Sequence, residues 1–315
     1  MRRARTMVAR VEAYLKRRRG VGFELRIEGD ELLRFARWTD ARGHRGPVTT
    51  DLALGWARSA GQATPLYRAR RLEIVRCFAR HQAALEPGTE IPPSGILGPA
   101  HRRTAPYIYS SREIARLLAL AGRLRSPRRL RGRTYVALLG LLACTGLRIS
   151  EALALDRTDL DLRAGVLVIR RTKFRKSRLV PLHPTATRAL RAYLVCRDRS
   201  PSLGSAALFV DEAGQRPPYS TVRTVFRGLA NRAIGATPSD RRRPRLHDLR
   251  HTFACQCLLR WYRGGHDVDH RMPALSTYLG HAKVSDTYWY LTGVPQLMAI
   301  TARRFERFAH GRERP

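Results

Sequence analysis

Acidic side chains are scarce in this chain. Its 315 residues hold 25 Asp and Glu against 60 Lys and Arg, a formal charge of +35. So much like charge repels itself unless an anion balances it, and nucleic acid is the obvious polyanion. Nearly all the basic residues are arginine, whose planar fork suits phosphate oxygens. A genome that favours arginine codons would account for arginine over lysine, but not for so large an excess over acids. Cysteine is scarce too. Cys77, Cys144, Cys196, Cys255 and Cys257 show no CxxC spacing, so they read as buried or incidental thiols in a reducing compartment, not as a disulfide framework. No run of about 18 apolar residues occurs, so no membrane span is expected. The opening MRRARTMVARVEAYLKRRRG lacks the apolar stretch of a signal peptide. Internal repeats and long low-complexity tracts are missing as well. What remains is 43% hydrophobic, enough for a packed core, so wholesale disorder is excluded. The length suits one large domain or two ordinary ones.

Four segments up to about residue 84 carry apolar residues at three- and four-residue spacing with arginine between them. They are MVARVEAYLKRRR, GDELLRFARWTDARG, VTTDLALGWARSAG and TPLYRARRLEIVRCFARHQAAL. Residues 1–88 therefore read as a small helical bundle with basic faces. Pro and Gly then dominate and the period vanishes, which predicts a linker over 89–106. A second domain is expected over 107–294. It begins with a capping box, Ser110 to Glu113, ahead of an apolar helix. RTYVALLGLLACTG is apolar on every face and should lie at the centre of a core, closed near Gly146. The period shortens at GVLVIRRTKFRKSRLVPL, where Val166–Ile169 and Leu179–Leu182 suggest a hairpin around a basic turn. Helices resume at TATRALRAYLVCR, STVRTVFRGLANRAIG and HDLRHTFACQCLLRWYRGG, with short ones at MPALSTYLG and SDTYWYL. An amphipathic tail helix is expected over 295–315. The fold class is mainly α with a small antiparallel β-sheet: an all-α N-terminal domain followed by an α+β domain.

The stretch RLHDLRHTF poses the chemical question. On a helix, His247 and His251 share a face, as two zinc ligands must. The zincin pattern, however, has Glu in second place where this chain has Asp248. Arg250 would set a fixed cation between the ligands, and no third ligand follows at the expected distance. A second pair, His266 and His270, lies beside Gly264 and Gly265 in what reads as a polar loop, where exposure is expected. The phosphate reading fits more of the chain. TGLRISEAL sets Arg148 just after a buried helix and a glycine turn. TKFRKSRLVPL offers Lys173, Arg175, Lys176 and Arg178 around a hairpin tip, which can deliver a point-charge ammonium into a groove. His247 and Arg250 share one helical turn. His281 follows a glycine turn in YLGHAKVSDTYWYL, and Tyr290 comes nine residues on.

In this order and at these spacings, the set resembles the tyrosine recombinases, the phage integrase family. That family's signature is Arg, Lys, His-x-x-Arg, His or Trp, then Tyr. It is matched by Arg148 in TGLRISE, Lys173 in RRTKFRKSRLVPL, His247 and Arg250 in HDLRH, His281 in LGH, and Tyr290. The likeness runs from about Tyr107 onward. The first domain resembles the family's core-binding domain in size, charge and position. The family often has Gly beside the lysine, and this chain has TKFRK. Lys173 is preferred to Lys176 because its distance to RLVPL matches the family's.

The resemblance implies DNA strand transfer. Two guanidinium groups, Arg148 and Arg250, can hold non-bridging phosphate oxygens and stabilise the added charge of the transition state. Tyr290 is the expected nucleophile, His247 its proton acceptor, Lys173 the proton donor to the leaving 5′ oxygen. His281 would donate a hydrogen bond to a phosphate oxygen. Glu151 is expected to orient Arg148 or His247, and Asp248 and His251 to cap or pack. Tyr288 is the nearest rival nucleophile, but a two-residue shift turns a helical side chain to nearly the opposite face. Arg175, Lys176, Arg178, Arg241, Arg242, Arg243 and Arg245 read either as solvated charge or as phosphate contacts, and their positions favour contact. The family further implies a 3′-phosphotyrosine intermediate without metal, ATP or other cofactor, and two domains closing on double-stranded DNA at a specific recombination site. It also implies a homotetramer on DNA, in the cytoplasm with the nucleoid. The tail, with Leu297, Ile300, Phe305 and Phe308 on one stripe, would pack on its own domain or dock on a neighbour. A type IB topoisomerase and a non-catalytic DNA-binding protein of the same fold are the other readings.

Overall fold

The computed structural model describes residues 6–101, 105–127, 130–170, 177–199, 204–235 and 243–291, with 299, 302, 306 and 310. Two compact units divide the chain, Met1–Thr104 and Ala105–Pro315.

The first unit is built from four helices: α1 Met7–Gly20, α2 Arg26–Asp40, α3 Thr50–Arg58 and α4 Pro65–Gln82. Three of them start on threonine. Thr6, Thr49 and Thr64 accept the backbone N–H groups of Ala9, Leu52 and Tyr67, satisfying donors that a helix leaves free at its start. Pro65 follows at the first helical position, where its missing N–H costs nothing. Asp40, at the end of α2, accepts from the amides of Met7 and Val8 and so ties α2 to the start of α1. The apolar stripes meet in one core around Val11, Leu32, Phe35, Trp56, Val75 and Phe78. Inside it, Phe35 and Trp56 pack edge to face at 5.4 Å. The start of the Pro- and Gly-rich stretch belongs to this unit. Glu86 pairs with Arg10, Glu90 accepts from Thr50 N, and Arg76 donates to Pro92 O. Polar pairing holds that stretch where periodicity gives no signal.

The second unit centres on α6, Leu130–Thr145. Its buried residues fall on every face, from Leu130 and Tyr135 to Leu139 and Leu142. The helices α5 Ser111–Gly122, α7 Ile149–Ala154, α8 Pro184–Asp198 and α10 Leu246–Arg263 pack around it, and α9 Tyr219–Ile234 lies against α5 and α7. The capping box at Ser110 and Glu113 is formed, with both bonds made. The sheet has three antiparallel strands in the order β1 Leu160–Asp161, β2 Val166–Ile169, β3 Arg178–Pro181. Its register sets Ile169 opposite Arg178 at the tip end and Val166 opposite Pro181. β1 has two residues, too few for alternation to reveal. The last helices are α11 Val268–Leu279 and α12 Ser285–Tyr288, followed by a 3-10 turn, Trp289–Leu291.

α11 differs from expectation. The sequence places a short helix over MPALSTYLG, from Met272. It begins a turn earlier, where Asp267 caps it by accepting from His270 N. Pro273 is the sixth residue of this helix, inside it, and leaves Asp269 O without its intrahelical donor. His270 is therefore in a helix rather than a loop. The tail's apolar stripe at Leu297, Ile300, Phe305 and Phe308 lies outside the described residues. Among the described residues no helix is long and apolar enough to cross a membrane, and no three His, Cys, Asp or Glu side chains converge as a metal site needs.

Candidate active site

Four loop and helix ends of the second unit meet at one point. They are the turn after α6, the start of α10, the end of α11 and the turn after α12.

Arg148 immediately precedes α7. Its own amide donates to Glu151 Oε2 at 2.9 Å, its Nη1 to Glu151 Oε1 at 2.9 Å, and its Nη2 to Gly280 O at 3.0 Å. Arg250, in the first turns of α10, is 2% exposed. Its Nη1 donates to Gly146 O and its Nη2 to Leu279 O, each at 2.8 Å. Burial lowers its pKa to about 10, so it remains charged at neutral pH. Gly146 and Gly280 are required here. Both have positive φ, +63° and +69°, and a Cβ would come within 2.6 Å of Phe253 and 2.7 Å of Arg178.

Tyr290 sits in the 3-10 turn and is 4% exposed. Burial raises its phenol pKa, while a hydrogen bond and the charge of Arg250 pull it down. Its ring stacks against His281 at 5.9 Å and meets His251 edge-on at 5.3 Å. Tyr288 is 40% exposed and bonds to Asp269, away from this cluster. His281 follows Gly280, the left-handed cap of α11, and pairs through Nδ1 with Thr287 Oγ1 at 2.7 Å. His247 is exposed, and its ring meets His251 edge-on at 4.6 Å. Burial, then Arg250, Arg245 and Arg148, push its pKa down to about 4. His281 is likewise pushed to about 4, by burial and then Arg250 and Arg148. Both are neutral at neutral pH, within a field set by two guanidinium groups.

His251 is buried against His247, Trp289 and Tyr290. Asp248 is also buried and accepts from Arg245 N at 2.7 Å, capping α10. Arg243 and Arg245 are exposed beside the cluster. Lys173, Arg175, Lys176, Arg241 and Arg242 lie outside the described residues. Arg178 is not at the hairpin tip. It is the first residue of β3 and faces inward, pairing with Glu151 through both Nη atoms at 3.0 and 2.9 Å. Burial alone would raise the Glu151 carboxyl, but Arg178 and then Arg148 hold it below the ordinary carboxylate value. Arg178 was expected among the phosphate contacts rather than as a partner of Glu151, and Thr287 and the carbonyls of Gly146, Leu279 and Gly280 carry no signal in the sequence. Backbone acceptors carry no side-chain signal, and the partner of Arg178 lies 27 residues away.

Chemically, the cluster combines two fixed cations, the neutral imidazoles of His247, His251 and His281, and one buried phenol. That set suits an anionic tetrahedral centre attacked by a phenol oxygen.

The family model described as the phage integrase family matches residues 109–295. The chain is 44% identical to the candidate integrase/recombinase y4rB of Sinorhizobium fredii, over 94% of this chain and 96% of that protein. It is 32% identical to the tyrosine recombinase XerD of Xanthomonas campestris, over 89% of this chain and 82% of that one. Among solved structures, the Tn1549 transposon integrase in complex with transposon right end DNA superposes with a TM-score of 0.69 at 16% identity. That match covers 97% of this chain and 100% of the other. The XerH site-specific recombinase bound to its difH substrate gives a TM-score of 0.65 at 17% identity, over 95% and 85%.

Proposed function

Because the chain belongs to the phage integrase family of tyrosine recombinases, we propose that it cuts and rejoins DNA at a specific recombination site. The observation that carries this reading is the gathering of Arg148, His247, Arg250 and His281 around the buried phenol of Tyr290.

In this reading a scissile phosphate enters between Arg148 and Arg250. Their backbone anchors hold both guanidinium planes before substrate arrives, so little reorganisation accompanies the gain of charge. The Tyr290 oxygen attacks phosphorus, the bond to the 5′ oxygen breaks, and a 3′-phosphotyrosine ester forms. The phenol is protonated in the free site because burial raises its pKa, so its proton must leave during attack. His247 accepts it. The imidazole is neutral at neutral pH, and the incoming phosphate offsets the cations that depress its basicity. Lys173 protonates the departing 5′ oxygen. His281, fixed through Nδ1 by Thr287, offers its other ring nitrogen to a phosphate oxygen. Attack by the 5′ hydroxyl of a second strand reverses each step. One ester replaces another, so no ATP, metal or other cofactor is called for.

The first unit serves as the DNA-binding domain and the second as the catalytic domain, with 89–106 as the linker. The exposed Arg243 and Arg245, with Arg175, Lys176, Arg241 and Arg242, contact phosphates. The partner is double-stranded DNA in the cytoplasm, and exchange of strands between two duplexes calls for a homotetramer on DNA.

A supercoiled plasmid carrying two copies of the DNA that flanks the gene tests this. Deletion or inversion between the copies is expected. Site-independent relaxation without recombinants would favour topoisomerase activity, and tight binding with neither product would favour a binding protein.

A further inference from the structure

The end of α11 is held in an unusual way. Helices leave their last carbonyls without intrahelical donors, and these carry the negative end of the helix dipole. Here three successive carbonyls are taken by three arginines from three other elements. Arg178 on β3 donates Nε to Tyr278 O at 2.8 Å, Arg250 on α10 donates to Leu279 O at 2.8 Å, and Arg148 before α7 donates to Gly280 O at 3.0 Å. Two of these are the guanidinium groups assigned above to the phosphate. The third is not in the family signature, and sequence reasoning placed it among the DNA contacts.

Arg178 cannot easily serve as such a contact. Its side chain is 10% exposed. Strand alternation turns it inward with Val180, while Leu179 faces solvent. Three of its donors are spent on Glu151 and Tyr278. Gly280 leaves it room, since a Cβ there would lie 2.7 Å from Arg178 Nη1.

We infer that Arg178 is a positioning residue for strand cleavage. This rests on the recombinase reading above. Arg178 joins β3, the strand that follows Lys173 in sequence, to the α11 turn that bears His281 and to the carboxylate that pairs with Arg148. It also divides the charge of Glu151. That carboxylate accepts from both Nη atoms of Arg178 as well as from the amide and Nη1 of Arg148. Without Arg178, Glu151 would pair with Arg148 alone and compete with phosphate for it.

The test uses the full chain with Arg178→Lys, Arg178→Ala, Glu151→Gln and the Arg178→Ala/Glu151→Gln double variant. First, DNA affinity is measured against salt. Then the rate of covalent adduct formation is measured at saturating protein on a nicked substrate, which separates binding from cleavage. Arg178→Ala should keep the wild-type salt slope yet cleave ~100-fold more slowly, the loss expected for a displacement of about 1 Å at a reacting group. Arg178→Lys keeps the charge without the fork and should recover part of the rate. The double variant should lose less than the product of the two single losses, since the uncompensated carboxylate is gone. Amide exchange at Gly280 and His281, whose N–H groups bond to Thr277 O and Ser276 O, should quicken in Arg178→Ala while exchange in the α6 core does not. This last arm needs no reaction, so it decides the assignment even if wild type makes no adduct, a result that would count against the recombinase reading instead. A salt slope reduced by about one with an unchanged saturated rate would make Arg178 a phosphate contact and overturn the inference. Unchanged exchange at Gly280 and His281 would overturn it too.

Discussion

Gly146→Ala is a single methyl addition whose effect follows from the structure. Gly146 ends α6 at φ +63°, and its carbonyl anchors Arg250. An added Cβ would lie 2.6 Å from Phe253 Cδ1 and 3.1 Å from Leu279 Cδ2. Left-handed backbone costs a residue with a Cβ about 1–2 kcal/mol. Overpacking adds ~1–3 kcal/mol, because Phe253 is stacked on Tyr278 at 5.6 Å and cannot simply swing aside. The destabilisation should be about 2–5 kcal/mol. For a unit of this size that lowers the melting temperature by roughly 4–20 °C. Calorimetry on wild type, Gly146→Ala, Phe253→Leu and the double variant separates the two parts. Phe253→Leu should relieve the contact but not the backbone cost, so the double variant is more stable than additivity predicts. At a temperature where Gly146→Ala is still folded, its adduct formation should be slowed, since the anchor of Arg250 has moved. A melting temperature within about 2 °C of wild type would refute the reasoning.

Two further outcomes are expected. His251 is buried, and burial, then His247, Arg245 and Arg250, push its pKa down to about 3, against ~6.5 in an unfolded chain. As pH falls below ~6.5 the unfolded chain takes up a proton that the folded protein refuses, so stability is full above that pH and is lost progressively as pH falls toward about 3. Unfolding of His251→Phe near pH 5 should take up about one proton fewer than wild type, and an unchanged dependence of stability on pH would contradict this. Arg245, with a half-exposed side chain at the start of α10, should contact a phosphate. Arg245→Ala should weaken binding evenly across DNA sequences and reduce the salt slope by about 1, whereas an unchanged slope would remove it from the interface.

Local rules made much of the fold legible. Apolar spacing marked α1 to α4, Ser110 and Glu113 marked the start of α5, and the unbroken apolar run marked α6 as central. The site was legible where side chains carry the chemistry: Arg148, the His247 and Arg250 pair of α10, His281 and Tyr290 come from four segments and lie together. What stayed hidden depends on partners far along the chain. Arg178 looks like a surface cation because its neighbours are basic, and only strand register turns it toward Glu151. α11 starts a turn before MPALSTYLG, because Asp267 caps it by accepting from His270 N, and the polar residues of that first turn carry no apolar period. Both anchors of Arg250 and one anchor of Arg148 are carbonyls, which every residue has, whereas Glu151, which also holds Arg148, was expected.

The central claim is that Tyr290 is the nucleophile. It is tested most directly by trapping wild type, Tyr290→Phe and Tyr288→Phe on nicked DNA carrying the gene's flanking sequences, in EDTA, on a denaturing gel. Wild type and Tyr288→Phe should give a covalent protein–DNA adduct, and Tyr290→Phe should give none. An adduct that survives in Tyr290→Phe would contradict the account.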